Sequence, residues 1–125
     1  MKKLIFLLSM IMVLMAGTVR ADPETFTWTN PTQYVDGTAI PAAKQALIKT
    51  HLYWATTSNG PWIEFASVSN GTSSYSGTPP ANYGIVAYYT LTVELDGALS
   101  AFLLPAVAYT RPFPACNAPT NLIIK

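Results

Sequence analysis

The apolar and polar positions of this chain alternate far more often than they recur at a helical period. From Ile85 to Leu95, the residues Ile85, Ala87, Tyr89, Leu91, Val93 and Leu95 share one face, while Val86, Tyr88, Thr90, Thr92 and Glu94 share the other. Period two over that length predicts a strand with one face buried. A second run, Ala98–Tyr109, follows Asp96-Gly97. That dipeptide accommodates the positive φ values of a type I′ turn, so the two runs read as a hairpin. Shorter alternations occupy Thr25–Thr29, stopped by Asn30-Pro31, then Thr50–Ala55, and Trp62–Val68 after the turn Ser58-Asn59-Gly60-Pro61. A last short run, Thr72–Ser76, lies between Asn70-Gly71 and Gly77-Thr78-Pro79-Pro80. Only Ala42–Ile48 is rich in helix formers, and two turns are too few to stand alone, so a single-turn lead into the next strand is expected there. Short strands between Gly, Pro and Asn turns predict an all-β antiparallel sandwich.

The first residues break this pattern. Met1-Lys2-Lys3 is basic, Leu4–Met15 is an almost unbroken apolar run, and Val19-Arg20-Ala21 offers small residues at a cleavage position. This is the layout of a secretory signal peptide over 1–21. Its apolar run is short of the ~20 residues that span a bilayer as a helix. All four methionines, Met1, Met10, Met12 and Met15, fall within it. The expected organisation is a signal peptide (1–21), one β domain (22–109) and a Pro-rich linker with a strand-like C-terminal tail (110–125). The expected location is secreted, periplasmic or at the cell surface, with no membrane association after cleavage.

Charge narrows the function. From Asp22 onward the chain carries Lys44, Lys49, Arg111 and Lys125 against Asp22, Glu24, Asp36, Glu64, Glu94 and Asp96, a formal net charge of −2. Such a chain has no basic surface for a phosphate backbone, so no nucleic-acid partner is expected. Cys116 is the single cysteine and His51 the single histidine. With one of each, on a Pro-rich tail and on a strand, no Cys–His nucleophile is expected. No metal is expected either, because no ligand cluster has metal-site spacing. The nearest acidic pairs, Asp22/Glu24 and Glu94/Asp96, read as solvated carboxylates at a terminus and at a turn. The spacing of carboxylates alone would also allow a glycosidase pair, but nothing else in the chain supports one. No enzyme and no cofactor are expected.

Several blocks in order resemble the fibronectin type III domain, an immunoglobulin-like β-sandwich. Phe26-Thr27-Trp28-Thr29-Asn30-Pro31-Thr32 resembles its strand B, and Asp36-Gly37-Thr38-Ala39-Ile40-Pro41 the loop after it in bacterial and phage members. Leu52-Tyr53-Trp54 with Ser58-Asn59-Gly60 is similar to strand C and its turn. Tyr88-Tyr89-Thr90-Leu91-Thr92-Val93, Asp96-Gly97 and Ser100-Ala101-Phe102 are similar to strands F and G. The likeness covers Thr25 to Tyr109 and implies a seven-strand, disulfide-free, usually non-enzymatic module in a secreted bacterial or phage-associated setting. The family's tyrosine corner is matched only by Pro79-Pro80-Ala81-Asn82-Tyr83, with Tyr83 in the corner position, and its strand A is missing ahead of Phe26. The family's cell-adhesion tripeptide is absent as well.

Fourteen of the fifteen aromatic residues lie beyond residue 21. Alternation sends Phe26 or Trp28, Trp54, Phe65 and Tyr89 inward, and Tyr53, Trp62 and Tyr88 outward onto strands that the resemblance places in one sheet. An exposed aromatic face suits binding of a protein or glycan, because rings supply area at low rotamer cost. The alternative is ordinary cross-strand packing on a solvated face. Two further roles are a structural subunit and an accessory module of a secreted polysaccharide-degrading system, the latter by family analogy alone. The tail Ala118-Pro119-Thr120-Asn121-Leu122-Ile123-Ile124 resembles the missing strand A. For the tail to fill its own edge in the family's antiparallel direction, the return path is about the length of the twelve-residue strand G, ~40 Å, while Thr110–Asn117 reaches about 25 Å. Self-association through Leu122, Ile123 and Ile124, head to tail, is the assembly this suggests. A plain tail or the start of a second domain would share the pattern.

Overall fold

Two antiparallel sheets face each other in the computed structural model, which describes residues 13–15, 23–114 and 123–125. One sheet has the order β1–β2–β5, from Val13–Met15, Glu24–Thr27 and Ser74–Gly77. The other contains β4 (Ile63–Val68), β3 (Lys49–Ala55) and β6 (Val86–Leu95), with β7 (Ala98–Leu99) and β8 (Val107–Thr110) both paired to β6. One helical turn, α1 (Ala42–Gln45), precedes β3. It is as short as the sequence suggests, and none of its residues is buried.

The core forms where the alternations of both sheets meet. Phe26 and Trp28 lie on the same side of the β2 segment, and both are buried. From β6, Ala87, Tyr89, Leu91, Val93 and Leu95 are buried, as the alternation requires. Leu52 joins them from β3, with Trp54 and Phe65 packed against the cluster. Tyr34 and Ile40 close one end from a tight loop in which Tyr34 N–H donates to the Thr38 carbonyl at 2.8 Å. The Trp28 indole N–H donates to Asn30 Oδ1 at 3.0 Å, and Asn30 Nδ2 to the Gly71 carbonyl at 2.7 Å. The loop between β4 and β5 is thereby tied to the end of β2.

Three expectations need correction. The place of the missing strand A is filled: β1 pairs antiparallel with β2, setting Leu14 opposite Phe26, and it does so from within the residues that read as a leader. Second, the return strand of the hairpin is not continuous. The turn forms as predicted, with φ of 53° at Asp96 and 79° at Gly97. After Leu99, however, the chain leaves the ladder. Tyr89 faces Val107, where the register set by Glu94 opposite Leu99 would bring Leu104. Third, Glu24 is no solvated carboxylate but is 1% exposed. Its carboxyl neighbours the Tyr109 hydroxyl, which it pushes above the usual phenol range together with burial, the larger cause. Tyr83, in the corner position, stands in a loop, half-buried, with the Arg111 guanidinium 4.0 Å over its ring. The residues that open the linker, Arg111–Phe113, are docked on the domain: Gly84 N–H donates to the Arg111 carbonyl at 2.9 Å. Asp22, Cys116, Leu122 and the proposed cleavage site lie outside the described residues.

Two measurements check this core. Trp28→Ala should lower stability by about 3–5 kcal/mol, as large-aromatic truncations do, and a melting temperature within a degree or two of wild type would contradict its burial. Burial pushes the Tyr89 phenol up to about 12 from an ordinary 10.0. A phenol whose pKa is higher in the folded than in the unfolded chain leaves stability unaffected below the unfolded value and erodes it above. Stability is therefore expected to fall as pH climbs from about 10 toward 12, and Tyr89→Phe to flatten that fall in pH-dependent denaturant titrations. An unchanged slope would contradict it.

Candidate functional site

The outward face of the larger sheet gathers side chains from three strands and one loop. Register decides which ones meet. Tyr53 lies opposite Thr90 on β6 and opposite Glu64 on β4, and His51 opposite Thr92 on β6. These residues therefore share a face. Phe65 is the extra residue of a bulge, since Leu52 pairs with Ala66 and Tyr53 with Glu64. The bulge lets Phe65 turn inward while Glu64 keeps its place beside Tyr53.

The loop that interrupts the hairpin completes the site. Ser100 N–H donates to the Val93 carbonyl at 2.8 Å and Leu103 N–H to the Leu91 carbonyl at 3.0 Å. Thr90, on the outward face, donates its hydroxyl to the Leu103 carbonyl and is fully buried. Pinned this way, the loop lays Phe102 against the sheet. Its ring meets Tyr53 edge-on at 5.1 Å and Trp62 tilted at 5.8 Å. Trp62 and Tyr53 remain half-buried, and Phe102 is 38% exposed. The Gly60 backbone passes close to the Trp62 indole: an added Cβ would sit 3.2 Å from Cδ1 and 3.0 Å from the Trp62 backbone nitrogen.

Of the three residues expected to bind, the structure thus joins Tyr53 and Trp62, through a third ring. Tyr88 is on the same face but further along, opposite Ala55 and Ala108. Phe102 was not legible as a member, because a continuous strand G would have carried it along the ladder, not across the face.

A polar cluster adjoins the rings. His51 is no simple surface histidine: its side chain is 11% exposed and stands between two carboxylates. Nδ1 lies 3.1 Å from Glu64 Oε2 and Nε2 2.8 Å from Glu94 Oε1. Only the doubly protonated ring can donate to both; the neutral ring donates to one. The two acids sit on opposite sides of the imidazole, so the three groups do not converge on one point. Among the described residues no His, Cys, Asp and Glu side chains form a group able to hold a metal. The Thr92 hydroxyl donates to the Tyr53 hydroxyl at 3.4 Å, linking the polar cluster to the rings. Asp96 at the hairpin tip pairs with Lys44 on α1.

No family model and no curated protein sequence matches the chain. Solved structures do. The chain is similar to a fibronectin type III domain derived from the human KIAA0970 protein, with a TM-score of 0.67 and 12% identity over 96% of this chain and 85% of that one. It is also similar to the fourth such domain of a human protein, with a TM-score of 0.57 and 21% identity over 87% of this chain and 79% of that one. The fold is that of a fibronectin type III β-sandwich, as the sequence resemblance implied. Among the described residues no helix is long and apolar enough to cross a membrane.

If Phe102 holds the face together, a Tyr53→Ala/Phe102→Ala double-mutant cycle should return a coupling of about 0.5–1.5 kcal/mol, the range for aromatic pairs. Phe102→Ala alone should also make Trp62 more accessible to iodide quenching. Zero coupling with unchanged quenching would remove Phe102 from the site.

Proposed function

We propose that this chain is a secreted, non-catalytic binding module that engages a protein or glycan through the face built from Tyr53, Phe102 and Trp62. The observation that carries this reading is the half-exposed ring cluster, ordered by a pinned loop and with the Gly60 backbone close to the Trp62 indole. A binding surface gains from rings fixed in advance, since less side-chain freedom is lost when a ligand arrives. Glu64, beside Tyr53 and half open to solvent, supplies acceptors for a sugar hydroxyl or a peptide N–H. Its setting is extracellular, periplasmic or at the cell surface of a bacterial or phage-associated system.

Tyr53→Ala and Trp62→Ala are expected to weaken ligand retention by about tenfold or more each, the scale of aromatic anchors in binding interfaces. Tyr88→Ala, away from the cluster, is expected to do much less. Glycan arrays and cell-surface capture with the exported protein measure this, with circular dichroism to show that the fold persists. Blank results in both assays, or equal losses at all three positions, would overturn the reading.

A further inference from the structure

β2 is flanked by β5 on one side and by β1 on the other. β1, Val13–Met15, lies within the segment read as a leader. In a chain exported as proposed above, β1 is lost. Thr25–Thr27 then lose their partners in register. Phe26, fully buried against Phe65, Tyr75 and Tyr89, comes to lie beneath an open sheet edge. Such an edge takes up another strand or templates aggregation. We propose that in the exported protein the chain's own C-terminal segment, residues 121–124, takes the place of β1 along β2. The inference rests on the secreted reading.

Three observations select this occupant. Leu122, Ile123 and Ile124 are apolar, two of them β-branched and suited to a pleated surface. With β1 in place, Ile123 is 72% and Ile124 87% exposed, so nothing else covers them. The second observation is the exit point. The Phe113 ring lies on Gly84 so closely that a Cβ there would come within 2.6 Å of it, and it stacks on Tyr83 at 6.0 Å. With Arg111 bound to Gly84, the tail is anchored as it leaves β8. The third is direction. The end of β8 is the end at which β2 begins: Thr110 faces Val86 at the start of β6. The far end of β2 is instead tied through Asn30 to Gly71, whose N–H donates to the Ile48 carbonyl beside the Lys49–Glu94 pair at the other end of β6.

These contacts change the reach. The long return path belongs to insertion in the antiparallel direction, whereas a strand laid parallel to β2 has only the length of β2 to cover, four residues or about 14 Å. Residues 115–120 span about 19 Å in a polyproline conformation, and the edge starts at the pole where they depart. The tail therefore reaches its own domain without crossing the sandwich and runs parallel to β2, where β1 runs antiparallel. Tethering also sets its effective concentration near the millimolar range, about a thousandfold above a neighbour's tail at micromolar protein.

The test is export of the 125-residue chain, with the N-terminus read from the intact mass. Amide exchange across Thr25–Thr27 and mass by light scattering are then compared between wild type and Ile123→Asp/Ile124→Asp. The expected result is a monomer in both, with edge-facing amides of Thr25–Thr27 exchanging at least tenfold faster in the variant. Leu91 and Val93 amides should stay equally protected, showing an intact core. Equal exchange in the two proteins overturns the proposal. So does a mass that rises with concentration in wild type and not in the variant, which would put the tail on a neighbouring copy. A product retaining residues 1–21 overturns the secreted reading instead, and the mass spectrum alone reveals it.

Discussion

The sandwich depends on four rings meeting between its sheets. Phe26 and Tyr75 come from the smaller sheet, and Phe65 and Tyr89 from the larger. Their centroids stand 5.5 to 6.1 Å apart in tilted or edge-on pairs. Each such pair adds about 0.5–1.5 kcal/mol beyond the area it buries. The described fold contains no disulfide to share this task, so the rings set the spacing of the sheets. They also set register. Phe65 reaches the cluster only because β4 carries an extra residue there, and that same bulge puts Glu64 beside Tyr53. The inner packing thus determines which residues appear together outside.

Much of this was legible in the sequence, for reasons that show in particular residues. The β6 alternation is long, clean and bounded by a turn pair, so its buried face from Ala87 to Leu95 could be named. Ile85, placed on the same face, instead lies ahead of the strand and is 52% exposed. Phe26, Trp28 and the Asp96-Gly97 turn followed from equally local rules. What alternation cannot give is the register between strands distant in sequence. His51, Glu64 and Glu94 each fell on the outward set of their own strands, yet nothing local says that the three become neighbours. The break after Leu99 was hidden for a related reason. Residues 100–106 keep enough apolar character to pass for a strand, and only the bonds from Val93, Leu91 and Thr90 show that they leave the ladder. Glu24 was misread because a short polar terminus looks solvated unless its place opposite Tyr109 is known.

The outward face accordingly has two characters. One part is closed: Thr90 is buried under the loop that carries Phe102 and Leu103, and Thr92 is buried beside Tyr53. The other part is open, with Trp62, Tyr53 and Glu64 at its centre and the histidine between its carboxylates at one side. The closed part holds the loop in place, and the loop then orders the rings of the open part. A sheet face that would otherwise be solvated threonines becomes a rigid surface through one irregular connection.

The same interruption has a consequence for the molecule in a crowded solution. An edge strand that ran unbroken from Ala98 to Tyr109 would offer passing chains a long ladder of unpaired peptide groups. Here that rim is divided into stubs of two and four residues, separated by a loop whose Ser100 and Leu103 amides are spent on β6. Neither stub is long enough to nucleate a growing intermolecular sheet. On the opposite rim, β4 is bulged and carries the charge of Glu64, two further obstacles to stacking. Both borders of the larger sheet thus meet a passing chain as short, interrupted lengths of backbone.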